Sequence, residues 1–319
     1  MTNVIYHKAD YDGIFCREIA KKFLPEANLI GWDYGDPVPT PDVVSSEDIL
    51  YMLDISVEGL MDHPKLIWID HHKSAIEIFK GSTPGYRIDG VAACRLAWQW
   101  FSSLTDEELK TIPTYTPAAL REDFFERRVI EPTAVRFAGE YDVWDKRDSR
   151  AEIFQCGLRS RALTNFDWTQ LLSYNKKMSI EEIESLASVG HQNLLEPDGT
   201  NMPAVIHGLL ESGKIIQRYQ QQSDSSLVHR SFMCELDGLK FLTLNTARCN
   251  SLTFAAKDVP ETGHDALMGF YWNGSIFKVS LYHARHRTDI DLSQIAVKRG
   301  GGGHRGACGF ETEGIPHKI

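Results

Sequence analysis

The sequence predicts an α/β protein: an N-terminal doubly wound parallel sheet followed by a smaller mixed α/β domain. Three observations predict it. Short apolar runs near the start each end in an acid or a histidine, helical patterns lie between them, and strand patterns return after a long helical stretch. The 319 residues suffice for about two domains. With 42 % hydrophobic and 24 % charged residues, the chain can bury a core without disulfides or a structural metal.

Taken in order, Asn3 to Tyr6 (NVIY) leads into His7, Ile49 to Leu53 (ILYML) into Asp54, and Leu66 to Ile69 (LIWI) into Asp70-His71-His72. Runs this short and this rich in β-branched and aromatic residues read as buried strands. Phe15 to Phe23, Ala75 to Phe79 and Ala92 to Phe101 read as helices. Trp98, Trp100 and Phe101 lie on the apolar side of the last of these and belong to the core. Strands alternating with helices give a parallel sheet, which binds ligands at the carboxyl ends of its strands. A polar stretch near Glu196 to Pro203 precedes a helix over Ala204 to Gln222, which Gly213 is expected to interrupt. Strands follow over Phe232 to Leu236, Leu239 to Leu244, Ala266 to Trp272 and Ile276 to Tyr282, with a hairpin signal at Asn273-Gly274. The expected partition is a first domain over residues 1–189, a helical connector over 190–230 and a second domain over 231–319.

The formal net charge is −10, which argues against tight binding of long duplex nucleic acid, since that needs many phosphate contacts. A small anionic substrate is compatible with it if metal ions offset the acids locally. The six cysteines are scattered and form no C-x-x-C pair, so free thiols in a reducing cytoplasm are expected rather than a zinc knuckle. No signal-peptide pattern and no membrane-spanning run is evident. An oligomer is compatible with the sequence.

The chemistry sits at the strand ends. His7, Asp10 and Asp12 form one cluster, Asp54 a second and Asp70-His71-His72 a third. Asp142, in Gly139 to Asp145, is a fourth candidate. A lone strand-end aspartate is usually a cap or a turn residue. Three successive strands that deliver acids and imidazoles to one sheet edge are different, because so many acids repel one another unless cations intervene. Carboxylates with imidazoles suit Mn²⁺ better than Mg²⁺. Two such ions can clamp a phosphoryl oxygen and activate water.

These residues resemble a known family. His7-Lys8-Ala9-Asp10-Tyr11-Asp12-Gly13, Asp54, Ile69-Asp70-His71-His72 and Asp142 are similar to motifs one to four of the DHH phosphoesterase superfamily. Gly300 to Phe310 (GGGGHRGACGF) resembles the glycine-rich signature of its DHHA1 domain. The order matches, and Tyr141-Asp142-Val143-Trp144 resembles the fourth motif of NanoRNase B-type oligoribonucleases more than that of RecJ-like exonucleases. The first motif departs in placing two residues between His7 and Asp10, where similar proteins place one or three. The resemblance implies two divalent ions, Mn²⁺ first and Mg²⁺ second. His7, Asp10 and Asp54 would hold one ion. Asp12, Asp54, His71 and Asp142 would hold the other. His72 would face the substrate and Asp70 would orient it. The implied activity is hydrolysis of short oligoribonucleotides or dinucleotides to mononucleotides. A 3′-phosphoadenosine 5′-phosphate phosphatase, a cyclic-dinucleotide phosphodiesterase, a pyrophosphatase or exopolyphosphatase, and a noncatalytic nucleotide sensor are the alternatives.

The glycine run has its own physics. Glycines let backbone N–H groups approach an anion closely, so Gly301, Gly302, Gly303, His304 and Arg305 are expected to bind substrate. From Lys278 to Ile319 there are seven Lys/Arg against four Asp/Glu, a local excess in an acidic chain. Arg285, just after a predicted strand, is the remaining substrate-binding candidate. The site is expected in a cleft between the domains.

Overall fold

A computed structural model describes residues 1–81, 83–111, 119–145, 147–177, 179, 181 and 200–316. The chain divides into two compact units, Met1–Ile216 and Gln217–Ile319. The boundary expected at residues 189/190 lies outside the described residues.

The first unit is built on a four-stranded sheet in the order β2-β1-β3-β4. Its strands are β1 (Thr2–His7), β2 (Asn28–Trp32), β3 (Ile49–Leu53) and β4 (Leu66–Ile69), all parallel. Side chains of a strand alternate between faces, and both faces here are covered. Val4, Tyr51, Leu53, Ile67 and Ile69 pack against the helices of one side. Ile5, Leu50, Met52, Leu66 and Trp68 pack with Ala75 and the loop residues of the other. This is why the strands read as continuous apolar runs rather than alternating ones. The sequence reading missed β2, a half-exposed edge strand whose NLIGW pattern is short and ends in glycine and tryptophan.

The helices that matter for the site are α1 (Tyr11–Phe23), α2 (Lys73–Ile78), α3 (Ala93–Ser102), α4 (Arg121–Phe125), α5 (Thr133–Asp142) and α6 (Ser149–Leu158). As expected, Trp98, Trp100 and Phe101 are core residues. After α7 (Asn165–Leu171) and a two-residue pairing of β5 (Lys176–Lys177) with β6 (Thr200–Asn201), helix α8 runs from Ala204 to Leu227. Gly213 does not interrupt it. A Cβ there would lie 1.9 Å from the Ile153 carbonyl oxygen, and one at Gly157 would lie 2.0 Å from that of Leu209. The two glycines let α6 and α8 cross at backbone contact. Gly213 is therefore a packing residue and not a helix break.

The second unit is a mixed six-stranded sheet, order β11-β12-β10-β9-β8-β7. It comprises β7 (Phe232–Leu236), β8 (Leu239–Asn245), β9 (Ala266–Trp272), β10 (Phe277–His283), β11 (Gly302–His304) and β12 (Ala307–Thr312), with α9 (Ser293–Val297) against one face. Only β8 and β9 are parallel. The hairpin expected at Asn273-Gly274 joins β9 to β10, but through four residues. Asn273 Oδ1 accepts the Ser275 and Ile276 N–H groups, and Gly274 takes a positive φ of 106°. Among the described residues no helix is long and apolar enough to cross a membrane.

Candidate metal centre

In the order β2-β1-β3-β4 the chain builds outward from β1 in one direction and then returns to its other side. That switch point, between β1 and β3, is where parallel sheets open a crevice at their carboxyl ends. His7 ends β1 there, Asp54 follows β3, and Asp70-His71-His72 follows β4. Asp10 caps α1 by accepting the Gly13 N–H at 3.0 Å. Gly13 must be glycine, since a Cβ would lie 1.9 Å from the His7 carbonyl oxygen. Asp12, in the first turn of α1, is buried and accepts the Ala93 and Cys94 N–H groups at 2.8 and 2.7 Å. The N-terminus of α3 thus fixes its carboxylate and favours its charge. Asp142 does not follow a strand as the other acids do. It is the last residue of α5, which carries it to the sheet edge from the side.

These groups converge on Asp54. His7 Nδ1 lies 2.9 Å from Asp10 Oδ2 and 3.5 Å from Asp54 Oδ2. His71 Nε2 lies 3.4 Å from Asp12 Oδ2, 3.4 Å from Asp54 Oδ1 and 3.3 Å from Asp142 Oδ2. Asp54 therefore turns one oxygen to each of two donor groups. Its side chain is 1 % exposed, yet neither oxygen accepts a hydrogen bond among the described residues. Its backbone is in the left-handed region at φ 60°, a conformation an aspartate tolerates but that costs energy. Donor atoms around one ion with bonds of about 2.1 Å stand roughly 3.0–3.5 Å apart. The observed spacings and the orphaned buried carboxylate fit divalent cations shared through Asp54.

Electrostatics says the same. Burial, then the Asp54 charge, pushes Asp12 up to about 7. Burial raises Asp54 to about 6, with Asp10 adding to it and His7 opposing. Burial and the Asp12 charge lift Asp142 well above the usual carboxylate range. Burial works against a charged His7, but Asp10 and Asp54 outweigh it and raise its pKa to about 11. Without cations the cluster holds protons that cations would displace.

Asp70 plays a different part. It is fully buried and accepts the His71 and His72 N–H groups at 2.7 and 3.1 Å, His72 Nδ1 at 2.7 Å and Trp68 Nε1 at 3.1 Å. Its carboxylate orients the His72 ring. Although burial opposes it, this contact raises His72 to about 10 when no cation is bound, which favours its protonated form.

The structure adds Asp33 to this set. It follows β2 as the other acids follow their strands, and its Oδ1 lies 3.4 Å from His7 Nε2. The run Leu29 to Trp32 ahead of it was the available signal.

The remaining candidates belong to the second unit. The glycine run is not one open loop. Gly300 (φ 74°) lies in the turn that follows α9, and the Gly301 N–H is committed to the Ala296 carbonyl. Gly302, Gly303 and His304 form β11, paired with Gly309, Cys308 and Ala307. Arg305 donates to the Asp289 carbonyl. Arg285 is exposed, and its backbone N–H donates to Asp258.

No protein-family model matches this chain, and no curated protein matches it. Solved structures do. An exopolyphosphatase-related protein from Bacteroides fragilis matches at 12 % identity and a TM-score of 0.47, over 98 % of this chain and 87 % of its own. RecJ from Thermus thermophilus in complex with Mn²⁺ matches at 16 % and 0.45, over 98 % of this chain and 49 % of its own. A pGpG-specific phosphodiesterase from Vibrio matches at 14 % and 0.40, over 98 % and 93 %. The four motifs that resemble those of the DHH phosphoesterases come together around Asp54, each at the end of the element that delivers it.

Proposed function

We propose that the chain is a divalent-metal-dependent phosphoesterase that hydrolyses short oligoribonucleotides or dinucleotides to mononucleotides. The observation that carries this reading is Asp54, a buried carboxylate with no hydrogen bond to either oxygen among the described residues and a separate donor group facing each. His7, Asp10 and Asp54 would hold one ion, and Asp12, Asp54, His71 and Asp142 the other, with Mn²⁺ favoured over Mg²⁺ by the imidazoles. Such ions supply a polarised phosphoryl oxygen and an activated water at neutral pH. The protein's own groups do the rest. His72, held by Asp70, offers a proton and positive charge to the departing or non-bridging oxygen. Gly301 to Gly303, His304, Arg305 and Arg285 of the second unit would hold the substrate's phosphate or nucleotide. The functional partition is 1–189 for metal binding, 190–230 as connector and 231–319 for substrate. The free cysteines suit a cytosolic enzyme.

A substrate panel with Mn²⁺ tests this reading. RNA dinucleotides, 5-mers and 24-mers are compared with 3′-phosphoadenosine 5′-phosphate, linear and cyclic dinucleotides, and pyrophosphate. Fastest turnover at about two to five nucleotides is expected, because a bounded site satisfies few phosphates. Equal rates on the 5-mer and the 24-mer would point to a processive exonuclease instead. Nucleotide binding without turnover would point to a sensor.

A further inference from the structure

The second unit contains a cluster of metal-type donors made entirely of its own residues: Asp258, His264 and His286. In β9 and β10, Ala266 pairs with His283, so His264, just before β9, and His286, just after β10, leave the same end of the ladder. Asp258 comes from the loop after the short helical turn Ser251–Phe254. The side chains of His264 and Asp258 are 0 % and 1 % exposed, and that of His286 is 22 % exposed.

Hydrogen bonding fixes which atoms are available. His286 Nε2 lies 2.9 Å from the His264 carbonyl oxygen. A carbonyl only accepts, so Nε2 carries the hydrogen, and Nδ1 of the neutral ring is then a bare lone pair. That Nδ1 is buried, has no hydrogen-bond partner among the described residues, and faces Asp258 Oδ1 at 4.0 Å. A lone pair facing a carboxylate oxygen across a gap too long for a hydrogen bond is costly when buried, unless a cation lies between them. His264 Nε2 stands 3.0 Å from the same oxygen. The three donor atoms lie within 4.8 Å of one another, and the two rings are 5.0 Å apart at 81°. Around one tetrahedral ion with about 2.0–2.1 Å bonds, donors stand roughly 3.3–3.5 Å apart and two imidazole centres roughly 5 Å apart. The observed spacings straddle those values.

We propose that Asp258, His264 and His286 bind one transition-metal ion of the zinc class, with a remaining position for water. Binding through His264 Nε2 would use the ring's other neutral tautomer, with the hydrogen moved to Nδ1, so no proton need leave the site. The His286 Nε2–H to carbonyl bond is the supporting contact that metal-ligating imidazoles use. Asp258 also accepts the Arg285 N–H at 3.2–3.3 Å, so the ion would order the loop that carries Arg285.

The test uses the full chain carrying Asp54→Asn, to weaken the first unit's cluster. Zinc retained after dialysis is counted by elemental analysis, and Co²⁺ is followed by its visible absorption. His286→Ala, added to this protein, should lower the retained zinc by one equivalent per chain and remove the tetrahedral cobalt bands, with far-UV circular dichroism unchanged. Asp258→Asn is the second variant and should weaken zinc binding about ten-fold or more. Zinc counts unaffected by both variants, or no zinc retained at all, overturn the proposal. None of these readouts depends on phosphoesterase activity.

Discussion

Replacing Asp54 by asparagine separates the need for metal from the need for fold. In the metal-free protein, burial and the neighbouring acids hold this carboxyl at about 6 rather than 3.8. Ionising it in place therefore costs roughly 3 kcal/mol, at about 1.36 kcal/mol per pK unit. The folded value lies above the ordinary one, so its contribution to stability is fully present below pH 3.8 and is lost as pH rises through about 6. An asparagine at this position never ionises, so D54N should be more stable than wild type at pH 8 in EDTA, by up to about 3 kcal/mol. At about 2–4 °C per kcal/mol, the melting midpoint should rise by up to roughly 6–12 °C, and most of the difference should be gone at pH 4. With Mn²⁺ the order should invert, because only a protein that binds the ion gains the linked stabilisation. Thermal scans at pH 4 and 8, with EDTA and with Mn²⁺, read all four cases. A D54N midpoint at or below wild type at pH 8 in EDTA, or an equal gain from Mn²⁺ in both proteins, would mean that Asp54 neither pays for its charge in the folded state nor binds the ion.

Three further perturbations address other parts of the molecule. Asp70→Asn should lower kcat about 10–100-fold while Mn²⁺ stoichiometry holds. The alkaline limb of its pH–rate profile should move to lower pH, because His72 loses the contact that raises it; an unmoved limb would remove His72 from proton transfer. Gly213→Ala puts a Cβ 1.9 Å from a backbone oxygen of α6 and should destabilise by about 1–3 kcal/mol or more, read as a lower urea midpoint. An unchanged midpoint would mean that the helices part without cost. His304→Ala should raise KM and lower kcat with Mn²⁺ affinity by calorimetry unchanged; loss of a bound ion would overturn its role as a substrate contact.

The sequence was most legible where burial is two-sided. β1, β3 and β4 read clearly because both faces are covered, and the acids after them stand where apolar runs stop. β2 did not, since of its five residues only Trp32 is buried, and Asp33 went unnoticed with it. Asp142 could be picked as a candidate but not placed, because its route to the sheet edge is a helix whose end no strand pattern marks. Gly213 and Gly302 show the opposite failure. Local propensity says break or loop, while a close helix crossing and an edge pairing keep both glycines inside regular elements. The cluster of Asp258, His264 and His286 was invisible because its members are separated in sequence and meet only when β9 and β10 pair.

If the donors around Asp54 make a metal-dependent phosphoesterase, turnover must follow bound metal. The most direct test is release of mononucleotide from an RNA dinucleotide by the purified full chain, stripped with EDTA and then titrated with Mn²⁺ and, separately, Mg²⁺. No release is expected from the stripped protein, with recovery on adding metal and faster turnover with Mn²⁺ than with Mg²⁺. Release that persists after exhaustive chelation, or its absence at saturating Mn²⁺, would contradict it.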